Sequence, residues 1–150
     1  MCGIFGIIGT ANPEVAERVI VAMRHRGPDD QGIWLNQTGC PVTLANVRLA
    51  IVDLSPAGHM PMPSADGQTV IAYNGEVFNF AEIRAELQAF GRHFRSQTDT
   101  EVILQAYQQW GAACVHKLRG MFAFLIWDQS SQTLFAARDR LGIKPLYYTQ

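Results

Sequence analysis

Residues 121–128 have the sequence MFAFLIWD, followed by QSSQ at 129–132 and TLFAAR at 133–138. The first stretch is apolar at nearly every position, so it lacks a side suited to solvent. This pattern predicts a strand that other layers cover on both faces. The polar tetrapeptide predicts a turn, which makes the two stretches an antiparallel hairpin. The hairpin therefore indicates a layered protein with a sheet in its interior.

Strands and helices are predicted on both sides of this hairpin along the chain. Short apolar runs predict strands at 4–8, 33–36, 42–52 and 70–73. Helical spacing of apolar residues predicts a helix opened by Pro13 and two adjacent helices over 80–90 and 102–110. Residues 54–67 form an irregular connection, and 146–149 begin one more strand. This order predicts an α+β protein with a largely antiparallel sheet.

Composition excludes several classes of protein. At 150 residues, the chain fits one domain, and 48% hydrophobic against 17% charged residues excludes a disordered chain. A net charge of −1 without a basic run gives no support to binding of nucleic acid or an anionic membrane. No apolar stretch is long enough to span a bilayer. The N-terminus lacks the features of a signal peptide, so we expect a cytoplasmic protein.

The cysteines and histidines do not form a recognisable cross-link or metal pattern. There are three cysteines, none in a C-x-x-C motif, and the four histidines lack the spacing of metal ligands. A disulfide scaffold and a zinc site are therefore not expected. Cys114 lies in an apolar pattern and is predicted to be an inert core residue. Cys40, beside Pro41, is predicted to lie at a turn or strand edge.

Cys2 is distinguished by its position. Removal of Met1 would make it the first residue and would place a free α-amine beside its thiol. An α-amine has an ordinary pKa of about 7.7–8.0, so it can accept the thiol proton near neutral pH. Terminal amines serve in this way as bases for nucleophilic side chains. The alternative is that Cys2 simply begins a buried strand.

Asn74 and Gly75 follow a predicted strand and precede a predicted helix. Asn-Gly is a common turn dipeptide, so a plain turn is one interpretation. The other is an oxyanion hole, in which the Asn74 carboxamide and the Gly75 N–H converge on one developing negative oxygen. A glycine there would also let a substrate approach the backbone closely.

Two charged residues have similar pairs of interpretations. Arg48 lies in an apolar strand, where it either extends to water from an edge or grips a carboxylate with two parallel hydrogen bonds. Asp99 lies between two threonines just before a helix. It either caps that helix or provides the counter-charge for an ammonium group of a ligand.

Seven segments together resemble a known family, the class II (N-terminal-nucleophile) glutamine amidotransferases, and most of all the glutaminase domain of asparagine synthetase. The resemblance runs nearly end to end. The segments are MCGIFGIIG, MRHRGPDDQG, RLAIVDLSPAGHMPM, YNGEVFNF, TDTEVIL, LRGMFAFLIWD and ARDRLGIKPLYY. Several such motifs in one order are far more specific than any single residue.

The resemblance implies roles for individual residues. Cys2 would be the nucleophile and its freed α-amine the proton shuttle, and Asn74 with Gly75 would form the oxyanion hole. The same resemblance implies a glutamine-binding set: Arg48 for the α-carboxylate, Asp99 with Glu76 for the α-ammonium, and backbone groups of Ile51 and Val52, beside Asn74 and Gly75.

The implied fold is the four-layer αββα sandwich of the N-terminal-nucleophile hydrolases. The implied activity is hydrolysis of L-glutamine to glutamate and ammonia, with ammonia supplied to an ATP-dependent amidation. We expect no metal or organic cofactor for the glutaminase half, and ATP with magnesium only in a synthetase domain. That domain, or a partner chain, is the expected partner beside L-glutamine.

Two features depart from the family pattern. Asn46 stands where many relatives have histidine, and relatives continue beyond the position of Tyr148. The chain lacks an S-G-G-x-D-S-type loop, so residues 1–150 are expected to be a glutaminase domain truncated at its C-terminus. Three alternatives stay open: a non-catalytic amino-acid-binding or regulatory module, an amidotransferase that feeds another acceptor, and a hydrolase of another amide.

Overall fold

Seven strands form two antiparallel sheets in a computed structural model that describes residues 1–150. The first sheet has the order β1-β3-β2 and the second the order β4-β5-β6-β7. The strands are β1 (Gly3–Ile8), β2 (Asp30–Asn36), β3 (Val42–Arg48), β4 (Met62–Pro63), β5 (Thr69–Val77), β6 (Gly120–Asp128) and β7 (Thr133–Arg138). The helices are α1 (Pro13–Met23), α2 (Phe80–Ala89) and α3 (Asp99–Trp110).

Alternation along β3 gives the first sheet two buried faces. Ala45 and Val47 point to one side and pack with Ala16 and Ile20 of α1. Val42 and Leu44 point to the other side, toward the second sheet, because successive side chains in a strand alternate between faces. The helix α1 begins where Asn12 accepts a hydrogen bond from the Val15 N–H at 3.1 Å and Pro13 takes the first helical position.

The second sheet is likewise covered on both faces. Toward the first sheet it presents three apolar side chains that pack against β3, those of Val70, Leu125 and Trp127. Toward the other side, residues such as Ile71, Phe122 and Phe124 pack with α2 and α3 in a cluster of 16 buried residues. The layers therefore run α1, first sheet, second sheet, α2 with α3. This arrangement confirms the predicted αββα sandwich.

The apolar stretch that predicted the layers is β6, paired along its length with β5 and β7. Its hairpin with β7 is confirmed, and each face of β6 is covered by a different layer. Cys114 is fully buried, as predicted, and burial raises the pKa of its thiol to about 11. A neutral thiol in an apolar environment is a packing residue.

Several elements differ from those predicted: the strand predicted at 33–36 begins at Asp30, and the connection predicted to be irregular over 54–67 contains the short strand β4. The strand predicted at 42–52 ends at Arg48, and residues 49–55 form a loop. The strand predicted at 70–73 continues to Val77, so Asn74 and Gly75 lie within β5 and the turn interpretation is wrong. Pairing of all nine residues of β5 with β6 overrides the local turn preference of Asn-Gly. Helix α3 begins at Asp99, and residues 146–149 have no regular secondary structure.

None of the helices combines the length and the hydrophobicity that a membrane span requires.

Candidate active site

A cavity with a volume of about 120 Å³ lies at the N-terminal end of β1 and is lined by residues from both sheets and from the start of α3. Every residue nominated by the sequence lines it, although these residues come from four separate segments of the chain. They are Cys2, Arg48, Ile51, Val52, Asn74, Gly75, Glu76 and Asp99. The structure thus brings the whole nominated set together at one place.

Cys2 precedes β1 and is half-buried. Its Sγ lies 3.4 Å from the Leu49 nitrogen, whose N–H donates to it, and 3.8 Å from the Leu49 oxygen. The Cys2 carbonyl accepts a hydrogen bond from Arg26 Nε at 3.2 Å. These contacts hold both the thiol and the backbone of Cys2 against the wall of the cavity. Cys2 thus lies directly before the first strand and also lines the cavity.

The direction of the Gly75 N–H follows from the pairing of the strands. Phe122 faces Gly75 across the β5–β6 ladder. The Phe122 N–H donates to Asp139 Oδ2 at 3.1 Å, and its carbonyl accepts from the Asp139 N–H at 2.7 Å. Since both groups of Phe122 point toward β7, Gly75 and Phe122 form a non-hydrogen-bonded pair. The Gly75 N–H consequently points away from β6.

The neighbours with the same orientation show what lies on that side. The Tyr73 N–H donates to Asn46 Oδ1 at 3.0 Å, and the Val77 N–H donates to Asp99 Oδ2 at 2.9 Å. Gly75 lies between them and lines the cavity. Its N–H is therefore directed like two N–H groups that already bind side chains, and it is placed to donate to a ligand.

The neighbouring strand requires glycine at position 75. A Cβ there would lie 2.3 Å from the Met121 oxygen and 2.6 Å from the Phe122 Cα, both in β6. The close approach is thus made by the neighbouring strand. The Asn74 side chain lies on the face of β5 that is turned toward the first sheet. It is buried there and lines the cavity.

Arg48 is 7% exposed, which rules out the interpretation of an edge residue that extends to water. Its guanidinium donates to two carbonyls of the following loop, those of Asp53 and Ser55. Asp53 in turn accepts from the Ser55 N–H at 2.9 Å and from the Gln97 N–H at 3.1 Å. Arg48 therefore orders the loop that borders the cavity while lining the cavity itself. Ile51 and Val52 belong to this loop and are largely exposed.

Asp99 does not cap α3, because the Thr98 hydroxyl takes that role by accepting from the Glu101 N–H at 3.2 Å. The Asp99 carboxylate is buried and accepts from the Tyr73 hydroxyl at 2.6 Å. Burial raises the pKa of Asp99, although its hydrogen bonds with Tyr73 and Val77 oppose that rise. A buried carboxylate facing a cavity suits a cationic ligand group.

Lys144 also lines the cavity and was not nominated by the sequence. It is 5% exposed, and its Nζ lies 3.1 Å from Met1 Sδ. Asp139 places it by accepting from the N–H groups of Leu141, Ile143 and Lys144. The signal for Lys144 was its motif, ARDRLGIKPLYY, which the resemblance included without giving it a role.

Tyr73 also lines the cavity and was not nominated, and Asn46, which binds the Tyr73 N–H without lining the cavity, was given no role. Asn46 Nδ2 donates to the Val47 carbonyl at 3.0 Å, while its Oδ1 accepts from the Tyr73 N–H. Asn46 thereby links β3 of one sheet to β5 of the other, next to Asn74. No group of three or more His, Cys, Asp or Glu side chains has an arrangement that could hold a metal ion.

Comparison with known proteins gives a consistent picture. A family described as a glutamine amidotransferase domain matches residues 1–150. Asparagine synthetase [glutamine-hydrolyzing] 3 of Bacillus subtilis (strain 168) is 42% identical over 100% of this chain and 25% of its own length. Putative asparagine synthetase [glutamine-hydrolyzing] 2 of Methanocaldococcus jannaschii is 40% identical over 99% of this chain and 32% of its own length.

Among solved structures, glutamine phosphoribosylpyrophosphate amidotransferase from B. subtilis superimposes with a TM-score of 0.73 and 21% identity, over 93% of this chain and 37% of that one. At this identity the likeness concerns the fold. The chain spans about a quarter to a third of the length of the two synthetases.

Proposed function

The chain belongs to the family of glutamine amidotransferase domains, and from this membership we propose that it hydrolyses L-glutamine to glutamate and ammonia through a thioester on Cys2. The observation that carries the proposal is that one cavity brings the required groups together. The cavity is lined by the Cys2 thiol and by Gly75, whose N–H does not pair with β6. Buried side chains of both charges, such as Arg48 and Asp99, line it as well.

Cys2 acts as the nucleophile once Met1 has been removed. The freed α-amine accepts the proton of the thiol, and the thiolate attacks the side-chain carbonyl carbon of glutamine. Removal of Met1 also takes away the thioether that lies against Lys144 Nζ. A lysine ammonium is a buried positive charge, so its presence in the same cavity favours the anionic species that form at Cys2.

The attack converts the carbonyl oxygen into an oxyanion. We propose that the Asn74 carboxamide N–H and the Gly75 N–H donate to this oxygen. Both donors lie within one strand that is paired over nine residues, so little reorganisation is needed when the charge develops. The α-ammonium of Cys2 then gives its proton to the leaving nitrogen, and ammonia departs.

The second half of the reaction hydrolyses the γ-glutamyl thioester. The α-amine of Cys2, again neutral, takes a proton from water, and the hydroxide equivalent attacks the thioester carbonyl. Collapse of this intermediate breaks the C–S bond, releases glutamate and returns the proton to the thiol. No step of this chemistry uses a bound cofactor.

The charges in the cavity select the amino-acid end of the substrate. We propose that Arg48 binds the α-carboxylate of glutamine and that Asp99, with Glu76, binds the α-ammonium. Backbone groups of Ile51 and Val52 border the same position, and Arg48 holds their loop in place. Charges of opposite sign that line one cavity match an α-amino acid better than a simple amide.

We further propose that the ammonia serves an ATP-dependent amidation of the asparagine-synthetase type. The support is the identity of about 40% to two proteins named as glutamine-hydrolysing asparagine synthetases. ATP and magnesium would act in a synthetase domain or partner chain. Delivery to another acceptor is the alternative, and the cytoplasmic location stays a prediction.

The test compares the parent, with Met1 removed, to Cys2→Ala and the control Cys40→Ala. Cys40 is also half-buried, but it lies at a turn away from the cavity. We expect glutamate and ammonia release from the parent and from Cys40→Ala, and none from Cys2→Ala, which still binds glutamine. If the parent binds glutamine without releasing ammonia, the chain is a binding module and the proposal is wrong.

A further inference from the structure

Tyr73 begins the motif YNGE, yet the chemistry proposed above gives it no task. Its hydroxyl donates to Asp99 Oδ2 at 2.6 Å, and the Val77 N–H donates to the same oxygen at 2.9 Å. Both donors from β5 therefore occupy one oxygen of the carboxylate. Oδ1 accepts no hydrogen bond from β5, and the backbone N–H groups of Asp99 and Thr100 at the start of α3 also stabilise the charged carboxylate. Tyr73 and Asp99 are 3% and 5% exposed, so water does not compete freely for these bonds.

We propose that Tyr73 is a positioning residue for substrate selection, whose hydroxyl fixes the Asp99 carboxylate so that Oδ1 accepts the α-ammonium of glutamine. This inference rests on the proposed function, since it assumes a substrate with an α-amine. The carboxylate of an aspartate can turn about two bonds, Cα–Cβ and Cβ–Cγ, and two donors on one oxygen restrict both rotations. A short hydrogen bond to a charged acceptor is among the strongest available for this purpose.

The charge states of the pair suit this role. Burial, with Asp99 next in effect, raises the pKa of Tyr73 well above its ordinary value, so the phenol remains a neutral donor. Burial also raises the pKa of Asp99, and the Tyr73 hydroxyl opposes that rise by binding the charged form. The other charged or titratable side chains that line the cavity are Cys2, Arg48, Asp53, Glu76 and Lys144.

A second tyrosine offers a matched control. The Tyr107 hydroxyl donates to Asp128 Oδ2 at 3.3 Å, and its ring stacks on Phe135 with centroids 5.4 Å apart. Neither Tyr107 nor Asp128 lines the cavity. Tyr107→Phe therefore removes the same kind of hydrogen bond as Tyr73→Phe, at a place without contact with the proposed substrate.

The experiment uses two substrates, L-glutamine and glutaramate, which is glutamine without its α-amine. Tyr73→Phe should raise KM for glutamine about tenfold, the size expected for loss of one hydrogen bond to a charged group. Its kcat should stay within about twofold, because the ammonium is bound equally in the ground state and the transition state. The kcat/KM for glutaramate should not change, which also shows that the variant is folded. Tyr107→Phe should behave like the parent with both substrates.

The pH profile provides a second readout. Without the Tyr73 hydroxyl, the charged form of Asp99 loses a donor, so its pKa rises further. The acid limb of kcat/KM for glutamine should therefore move to higher pH in Tyr73→Phe. A merely structural role would lower the activity toward both substrates and leave the limb in place.

Equal loss with glutamine and glutaramate, or an unchanged KM for glutamine, would overturn the inference. Calorimetric titration of glutamine into Cys2→Ala and Cys2→Ala/Tyr73→Phe separates this from the proposed function. Binding that is about tenfold weaker in the double variant supports the role of Tyr73 even if the parent never hydrolyses glutamine. Absence of glutamine binding by Cys2→Ala would overturn both.

Discussion

The side chains that lie between the two sheets change from apolar to polar along β3 and β5. In the first half of β3 and β5, the side chains between the sheets are apolar, namely Val42 and Leu44 against Val70. They pack with Leu125 and Trp127 of β6 and are almost fully buried. This half has no polar side chain to position and serves to hold the two sheets together.

Farther along, the same face of the same strands becomes polar. Asn46 and Arg48 continue the inward positions of β3, and Asn74 continues those of β5. All three are buried, and Asn46 and Arg48 have hydrogen-bond partners within the protein. Burying such groups is unfavourable without partners, so the polar half is retained for a different purpose from the apolar half. One half of the interface provides stability, and the other provides a cavity.

Substitutions in each half should affect different properties. The largest expected effect is that of Asn74→Ala, in the polar half, on kcat. Loss of one oxyanion donor typically lowers kcat by about 10²–10³-fold. Asn74→Asp keeps the shape, removes the amide donor and should lower kcat at least as much. KM should change far less in both variants, and a thiol reagent should still alkylate Cys2. Steady-state kinetics with an alkylation assay checks this, and an undiminished kcat would remove Asn74 from the oxyanion hole.

A smaller effect is expected from Arg48→Lys. Lysine offers a point charge and cannot grip a carboxylate while also reaching the carbonyls of Asp53 and Ser55. KM for glutamine should rise about 10–100-fold, the range for loss of hydrogen bonds to charged groups. Glutamine without its α-carboxylate should respond little.

The matched control is Arg18→Lys on the exposed side of α1. It should leave KM unchanged. An unchanged KM in Arg48→Lys as well would make Arg48 a residue that only orders the loop.

On acidification below the pKa of Asp99, the affinity for glutamine should fall about tenfold per pH unit, because Asp99 loses its charge. Burial raises the pKa of Asp99, so the loss begins at a higher pH than an exposed aspartate would give. Above that pKa the affinity is full, and below it the affinity falls. Calorimetric titration across the acid range measures this limb. Asp99→Asn should bind weakly at every pH and lack the limb; a limb that persists would assign it to another group.

The smallest effect on turnover is expected from Leu44→Ala, two residues before Asn46 on the same face. A cavity in the apolar half should lower the free energy of unfolding by about 2–5 kcal/mol. Below the unfolding transition, kcat and KM should stay within about twofold of the parent, because separate sites are nearly additive. Denaturant unfolding with parallel kinetics would show this. A large fall in kcat would mean that the two halves are coupled.

The layers were predictable because the sequence of β6 is apolar at nearly every position. A strand that is apolar on both faces requires a covering layer on each face. The first sheet covers one face of β6, and α2 with α3 cover the other. The end of β3 was not predictable from pattern, since residues 49–52 are as apolar as a strand. They leave the sheet where Arg48 turns its guanidinium back onto the loop carbonyls.

The nominated site was predictable from joint motifs and not from single residues. Asn74-Gly75 alone favoured a turn, and only pairing with β6 places it inside a strand. Tyr73, Asn46 and Lys144 were missed for a common reason. Each acts through a contact between segments distant in sequence, and such contacts depend on which strands and loops face each other.

The covalent state of Cys2 during turnover tests the proposed chemistry most directly. The parent, with removal of Met1 verified by intact mass, is mixed with glutamine, quenched in acid within the first turnover and digested for peptide mass analysis. We predict one γ-glutamyl group on the N-terminal peptide containing Cys2, no such group on the peptides of Cys40 or Cys114, and none anywhere in Cys2→Ala. Ammonia release by Cys2→Ala at the parent's rate, or turnover in the parent without any adduct on Cys2 at any quench time, would contradict it.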